Sequence, residues 1–305
     1  MSSQPAATFL FAAILFTGHA LADDRTPATV TVRPVSRGVV VLIGAGGNVA
    51  VAYGADSVAI VDTGGADLAP QMRAVIAQID PRPVKFVIDT NWHFDHAGGN
   101  AEFARAGATI VGQLNVQRRM ANAGADAGPA PSGTPPNHTY LDIRTIATGG
   151  DVLRLVHVEH AHTDGDTIVK WTRANVLHMG DVYVRNGLPV IDLASGGSIA
   201  GMIAGVETGL TLADERTVII PGHGEPATRR DLLDYHDRLQ AIAVAVEAQV
   251  RHGKSLADVQ ALRLGDAWSR DASATVGPDE FIATAYDSYS QSRLDSGSRD
   301  GREAK

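Results

Sequence analysis

Apolar positions early in the chain fall into short, β-branched runs separated by glycine-containing turns. Ala28–Arg33, Val39–Ile43, Asn48–Tyr53 and Ser57–Val61 predict an antiparallel meander that ends in the turn Asp62-Thr63-Gly64-Gly65. The spacing then changes. Asp67–Ile79 has helical periodicity, and Val84–Ile88 predicts a buried strand leading directly into Asn91. Helices at Asn100–Arg105 and Leu114–Ala121 flank a strand at Thr109–Val111. Strands return at Ile143–Ala147, Val152–Val158, Asp166–Trp171 and Val176–His178, followed by a helix from Ser198, its N-cap, to Leu212. A short strand, Thr217–Ile220, ends in Pro221-Gly222-His223-Gly224. A long amphipathic helix, Asp231–Arg251, and helices at Ser255–Leu262 and Pro278–Ser290 complete the pattern. Each half runs from strands into helices, which predicts an α/β fold with two sheets face to face and helices outside, a four-layer αββα sandwich. No repeat with a period of about 20–50 residues is present, which removes solenoids and propellers.

Three stretches fall outside this pattern. Residues 1–22 carry an apolar run from Ala6 to Phe16 and then Ala20-Leu21-Ala22 before Asp23, the form of an export signal with a small-residue cleavage site. The run is shorter than the ~20 residues that span a bilayer, so stable membrane insertion after cleavage is not expected. Residues 123–139, AGADAGPAPSGTPPNHT, have almost no large apolar side chains and predict a long mobile loop, either a lid or a variable surface connection. The polar, Gly/Ser-rich residues 292–305 predict a disordered tail, leaving 23–291 as one large domain.

Composition narrows the chemistry. The 305 residues are 44% hydrophobic and 20% charged, enough for a sizeable core, and the net charge of -8 offers no basic face to hold nucleic acid. There is no cysteine, which excludes thiolate nucleophiles, iron–sulfur clusters and cysteine-bearing zinc sites. Any metal must be held by His, Asp or an amide oxygen.

Four segments place such groups just after apolar strands: His93-Phe94-Asp95-His96, His160-Ala161-His162-Thr163-Asp164-Gly165-Asp166, His178-Met179-Gly180-Asp181, and His223 between glycines. Imidazole nitrogen and carboxylate oxygen suit zinc and similar borderline metals, and separate loops converge readily on one ion. On an extended stretch His93 and Asp95 point the same way, and Trp92 and Phe94 point oppositely, into packing. One HxDH cluster alone reads as surface or core histidine; four in this order form a metal site. His160 reads as a substitute ligand or a surface residue. His157 and His178 read as structural, and His138, His236 and His252 as loop or helix-surface positions. Asp62 is placed to orient a ligand histidine through a hydrogen bond rather than to bind metal, and Asp164 and Asp166 do likewise or shape their loop. Ser195-Gly196-Gly197-Ser198, before a helix, reads as an N-cap loop or an anion site.

The ordered set N-W-H-F-D-H, A-H-T-D-G-D, H-M-G-D and P-G-H-G resembles the metallo-β-lactamase superfamily, and V-D-T-G-G resembles its structural aspartate turn, over Val39 to Leu239. The resemblance implies the αββα sandwich with one or two metal ions, usually zinc, at one edge. It implies that His93 and His162 bind a first metal, that Asp95, His96 and His223 bind a second, and that Asp181 bridges them. An aspartate at 181 is similar to glyoxalase II and lactonases, where the commonest lactamases have Cys or Ser. Asn91 stands where the family has its first histidine, so the second site is intact and the first is weaker, with Asn91 at most a weak ligand. The single-zinc carbapenemases also have Asn there, but their second site uses a Cys that this chain lacks.

The expected chemistry is hydrolytic. A bound metal lowers the pKa of water to about 7 and polarises the carbonyl it faces, while Asp95 orients the nucleophile and carries its proton. The first expectation is an exported, periplasmic or secreted zinc hydrolase of a small carbonyl substrate, a β-lactam before a lactone or thioester. The alternatives are an iron-dependent persulfide dioxygenase and a non-catalytic metal-binding accessory protein.

Overall fold

The computed structural model describes residues 30–44, 46–54, 57–122, 133–148, 150–185, 187–266 and 276–303, with side chains to residue 291. The first sheet has seven strands in chain order: β1 (Thr31–Ser36), β2 (Val39–Ile43), β3 (Val49–Tyr53), β4 (Val58–Val61), β5 (Val84–Ile88), β6 (Thr109–Gln113) and β7 (His138–Tyr140). β1 to β4 form the antiparallel meander; β4 to β7 are parallel. The second sheet has five strands: β8 (Ile143–Thr148), β9 (Asp151–Val158), β10 (Asp166–Trp171), β11 (Val176–His178) and β12 (Val218–Ile220), with β11 and β12 parallel.

β2 to β4 are apolar at nearly every position because both faces of their sheet are covered. Val39, Val41, Ala50, Val61 and Ile88 face the second sheet's Leu153, Leu155, Val169 and Trp171. The alternate residues Val40, Leu42, Val49, Val51 and Ile60 pack under Met72 and Ile76 of α1 (Ala69–Ile79) and Phe103 of α3 (Asn100–Arg105). On the second sheet's outer face lie α5 (Ile199–Leu212), α6 (Arg229–Arg251) and α8 (Pro278–Glu303). Helix, sheet, sheet, helix is the predicted order of layers. The α5 N-cap is Ser198, whose side chain accepts from the Gly201 N–H, while α6 starts two residues before its expected Asp231, at Arg229, behind the capping box of Thr228 and Asp231.

Parallel strands bring their C-terminal ends to one edge. Asp62 follows β4, Asn91 follows β5, His178 ends β11 and Pro221 follows β12, so the ligand-type residues gather along that edge.

Other expectations meet the structure differently. Residues 1–22 lie outside the described residues, as do 123–132 of the expected loop; the end of that loop is β7, paired with β6 through Val111 and His138. The backbone of α8 continues to Glu303, across most of the stretch read as a disordered tail. Among the described residues no helix is long and apolar enough to cross a membrane.

Candidate metal centre

The four separated segments meet in two groups. His93, His162 and Asp181 form one, Asp95, His96 and His223 the other, and the ligand-type atoms within each lie within 4.8 Å of one another. Asp181 reaches both: its Oδ2 is 3.0 Å from His96 Nε2 and 3.3 Å from His162 Nε2, and its Oδ1 is 3.4 Å from His223 Nε2. His223 Nε2 is also 3.3 Å from Asp95 Oδ2.

The first segment is not extended, which corrects one expectation. His93 has β-type dihedrals but is the N-cap of α2 (Phe94–Ala97), so the period changes there from two to 3.6 residues. His93 and Asp95 therefore enter different groups. Trp92 packs as expected on Ala97, Val116 and Met120, but Phe94 is 58% exposed rather than buried.

Hydrogen bonds from outside fix the rings. Asp62, buried at the end of β4 with φ of 65°, accepts from Thr90 N at 2.7 Å and from Thr90 Oγ1, and its Oδ2 lies 2.8 Å from His96 Nδ1. The Val190 carbonyl lies 2.9 Å from His162 Nδ1, and Asp192 Oδ2 lies 3.0 Å from His93 Nε2. With each outer nitrogen donating, the inner nitrogens carry lone pairs. His93 Nδ1 and His162 Nε2 are then two acceptors 2.9 Å apart, an arrangement that requires a proton or a cation between them. Despite the 3.0 Å approach of His96 Nε2 to Asp181 Oδ2, neither His96 Nε2 nor Asp181 Oδ1, both buried, has a hydrogen-bond partner of acceptable geometry among the described residues. A metal ion fits this inward ring of imidazoles and carboxylates, because it satisfies the lone pairs and balances the buried negative charge together.

Proton affinities show the same demand for positive charge. Burial disfavours the His96 imidazolium, yet Asp181 and Asp62 outweigh it and raise its pKa well above the usual value. Burial raises Asp181, but His96 and His162 hold it well below the carboxylate range. Asp95 is pushed up by burial and pulled down further by His223 and His96, to about 2. His223 is raised, burial being outweighed by Asp95 and Asp181.

Asn91 lies beside the first group. It is buried; its Oδ1 accepts from the His93 N–H at 2.8 Å and its Nδ2 donates to Asp181 Oδ2 at 3.3 Å. The amide thus points a donor at the bridging carboxylate. Two close backbone approaches shape the rest. A Cβ on Gly47 would lie 2.5 Å from His96 Cε1, and one on Gly222 would lie 2.0 Å from Asp181 Oδ1.

The remaining candidates stand aside. His160, with φ of 54°, bonds to the Gly196 carbonyl, and His157 to the Asp166 carbonyl. His178 is buried between Asn48 O and Gly180 N. Asp164 takes a two-pronged bond from Arg119 on α4 (Leu114–Asn122), and Asp166 accepts from Thr163 N and Oγ1. Ser198 caps α5. Asp192 escaped the sequence reading. Its only local sign is a carboxylate between Ile191 and Leu193, ahead of a glycine-rich cap.

The Metallo-beta-lactamase superfamily model matches residues 42–239. A metallo-beta-lactamase from Pontibacter korlensis superimposes with a TM-score of 0.60 at 19% identity, over 70% of this chain and 99% of that one. A metallo-beta-lactamase from Hirschia baltica does so with 0.57 at 18%, over 68% and 96%. A stereoselective inverting sec-alkylsulfatase from Pseudomonas sp. reaches 0.68 at 15% identity, over 85% of this chain, which spans 50% of that enzyme's length. The match to the family model covers most of the sandwich and every residue of both groups, and the chain belongs to the metallo-beta-lactamase superfamily.

Proposed function

We propose that the protein is a zinc-dependent hydrolase of a small carbonyl compound, with a β-lactam the first substrate to assay. The observation that carries this reading is the pair of His/Asp groups sharing Asp181, with each ring that is anchored from outside through one nitrogen presenting the lone pair of its other nitrogen inward. His93, His162 and Asp181 would hold one zinc, and Asp95, His96, His223 and Asp181 another, with Asn91 assisting by holding Asp181. Bound zinc supplies Lewis acidity and water of lowered pKa. Asp95, an ionised carboxylate with its pKa at about 2 and an Oδ2 directed at His223, accepts a proton and passes it on. Asp62, Asp192 and the Val190 carbonyl keep the histidines oriented, so no ring reorients during turnover. The apolar run and Ala-Leu-Ala of residues 1–22 support export to the periplasm or medium.

The test is a panel of nitrocefin, a carbapenem, a lactone, a thioester and a secondary alkyl sulfate, run on chelator-treated protein before and after zinc is restored. The sulfate belongs in the panel because the Pseudomonas alkylsulfatase aligns over 85% of the chain. Zinc-restored turnover of a carbonyl substrate supports the reading. Iron in the purified protein with thiol-dependent oxygen consumption, or no turnover at all, overturns it.

A further inference from the structure

Polar atoms dominate the interior of the centre, but the segments that carry its histidines also expose large apolar side chains. Phe94 lies between His93 and Asp95 at the first position of α2, 58% exposed, with its ring over the Gly65 turn. Val190 is 39% exposed, and its own carbonyl holds His162. His162 Nε2 is in turn 2.9 Å from His93 Nδ1, so the two apolar residues are tied to adjacent rings of one group. Neither is needed for the core. Phe94 is outside every buried cluster, whereas its neighbour Trp92 packs on Ala97, Val116 and Met120. Singly exposed apolar residues are ordinary, but Phe94 sits between two ligand-type residues, where its apolar area is open to a molecule bound at the centre. The nearby arginines add no free charge: Arg119 is held by Asp164 and Arg185 by Asp231.

We infer that Phe94 and Val190 form an apolar rim that selects substrates carrying an apolar chain beside the group bound at the metal centre. The inference rests on the hydrolase reading for the word substrate, but the rim's preference is a binding property and can be read without turnover. A thiolate head binds zinc and an alkyl tail reports the rim. Zinc-loaded protein is titrated calorimetrically with ethanethiol, butanethiol and hexanethiol, and then Phe94→Ala, Val190→Ala and the double variant are titrated alike. Wild-type affinity should rise about threefold per added methylene. The gradient should flatten in each single variant and vanish in the double variant, with zinc content unchanged.

A gradient absent from wild type, or equally steep in the double variant, overturns the inference. Conservative Phe94→Leu should restore much of the slope, separating lost apolar contact from a disturbed α2. Matched substrate pairs, 6-aminopenicillanic acid with benzylpenicillin and γ-butyrolactone with γ-decalactone, give the catalytic counterpart. The ratio of kcat/KM within each pair should fall about tenfold in Phe94→Ala. A graded thiol series with no turnover of any pair would sink the hydrolase reading and leave the rim standing. Turnover with an ungraded series would do the reverse.

Discussion

The two groups of the centre share Asp181 but are built differently. His93 and His162 are both pinned from outside, by Asp192 and by the Val190 carbonyl, and beside them the amide of Asn91 donates to Asp181. In the other group, His96 is wholly buried against Asp62, while the His223 side chain is 42% exposed. On the proposed reading the first group offers well-oriented but few ligand-type side chains, and the second offers more, with one at the surface. Orientation and ligand number are separate determinants of metal affinity, and the two groups differ in both.

The largest effect is expected at Asp62. Asp62→Ala removes the acceptor for His96 Nδ1 and for both Thr90 donors in a site with no solvent access, and should destabilise the fold by about 3 kcal/mol, read by urea unfolding. Next is Gly222→Ala. Its new Cβ meets Asp181 Oδ1, the one group common to both sites, so both metals should weaken by about 100-fold in a zinc titration. A variant that lost only one metal would show that Asp181 does not bridge.

Asp192→Ala sharpens the contrast instead of abolishing it. His93 loses its outer partner, so the first site should weaken by about 10- to 100-fold while the second keeps its affinity. Equal losses at both sites would mean that Asp192 acts on the fold and not on His93.

The smallest effect concerns the segment carrying His223, whose carbonyl accepts from Arg185 N. The Arg185 guanidinium hydrogen bond outweighs burial and holds Asp231 down at about 2, and this depressed pKa fixes the sign. The pair's stabilisation is present above the ordinary carboxylate value near 4 and is lost as pH falls through about 2. Arg185→Ala should therefore lower stability by less than about 1 kcal/mol at neutral pH, the pair being partly exposed, and the difference from wild type should shrink below pH of about 4 and close below about 2.

What could be read in advance follows from what each residue depends on. Val39–Ile43 and Asp166–Trp171 are runs buried almost throughout and bounded by turn residues, so local pattern and tertiary environment agree, whereas Val84–Ile88 is buried only at Val87 and Ile88. The gathering of His93, Asp95, His96, His162, Asp181 and His223 was legible because each follows a strand of a recognisable order. The direction of Phe94 was not, because alternation fails once a helix starts at the preceding residue, and a four-residue helix leaves no periodic trace. β7 is three residues long and emerges from a Pro/Gly-rich stretch, where only pairing with β6 makes it a strand. Asp192 is defined by a contact with His93 across 99 residues, which no local pattern encodes.

In the proposed centre two metals share Asp181 and Asn91 weakens the first. This is tested most directly by calorimetric zinc titration of metal-free wild type beside Asn91→His. Wild type should show two sites of unequal affinity, with the weaker one tightened by about tenfold when an imidazole replaces the amide. A single site in both proteins, or two sites indifferent to the substitution, would contradict it.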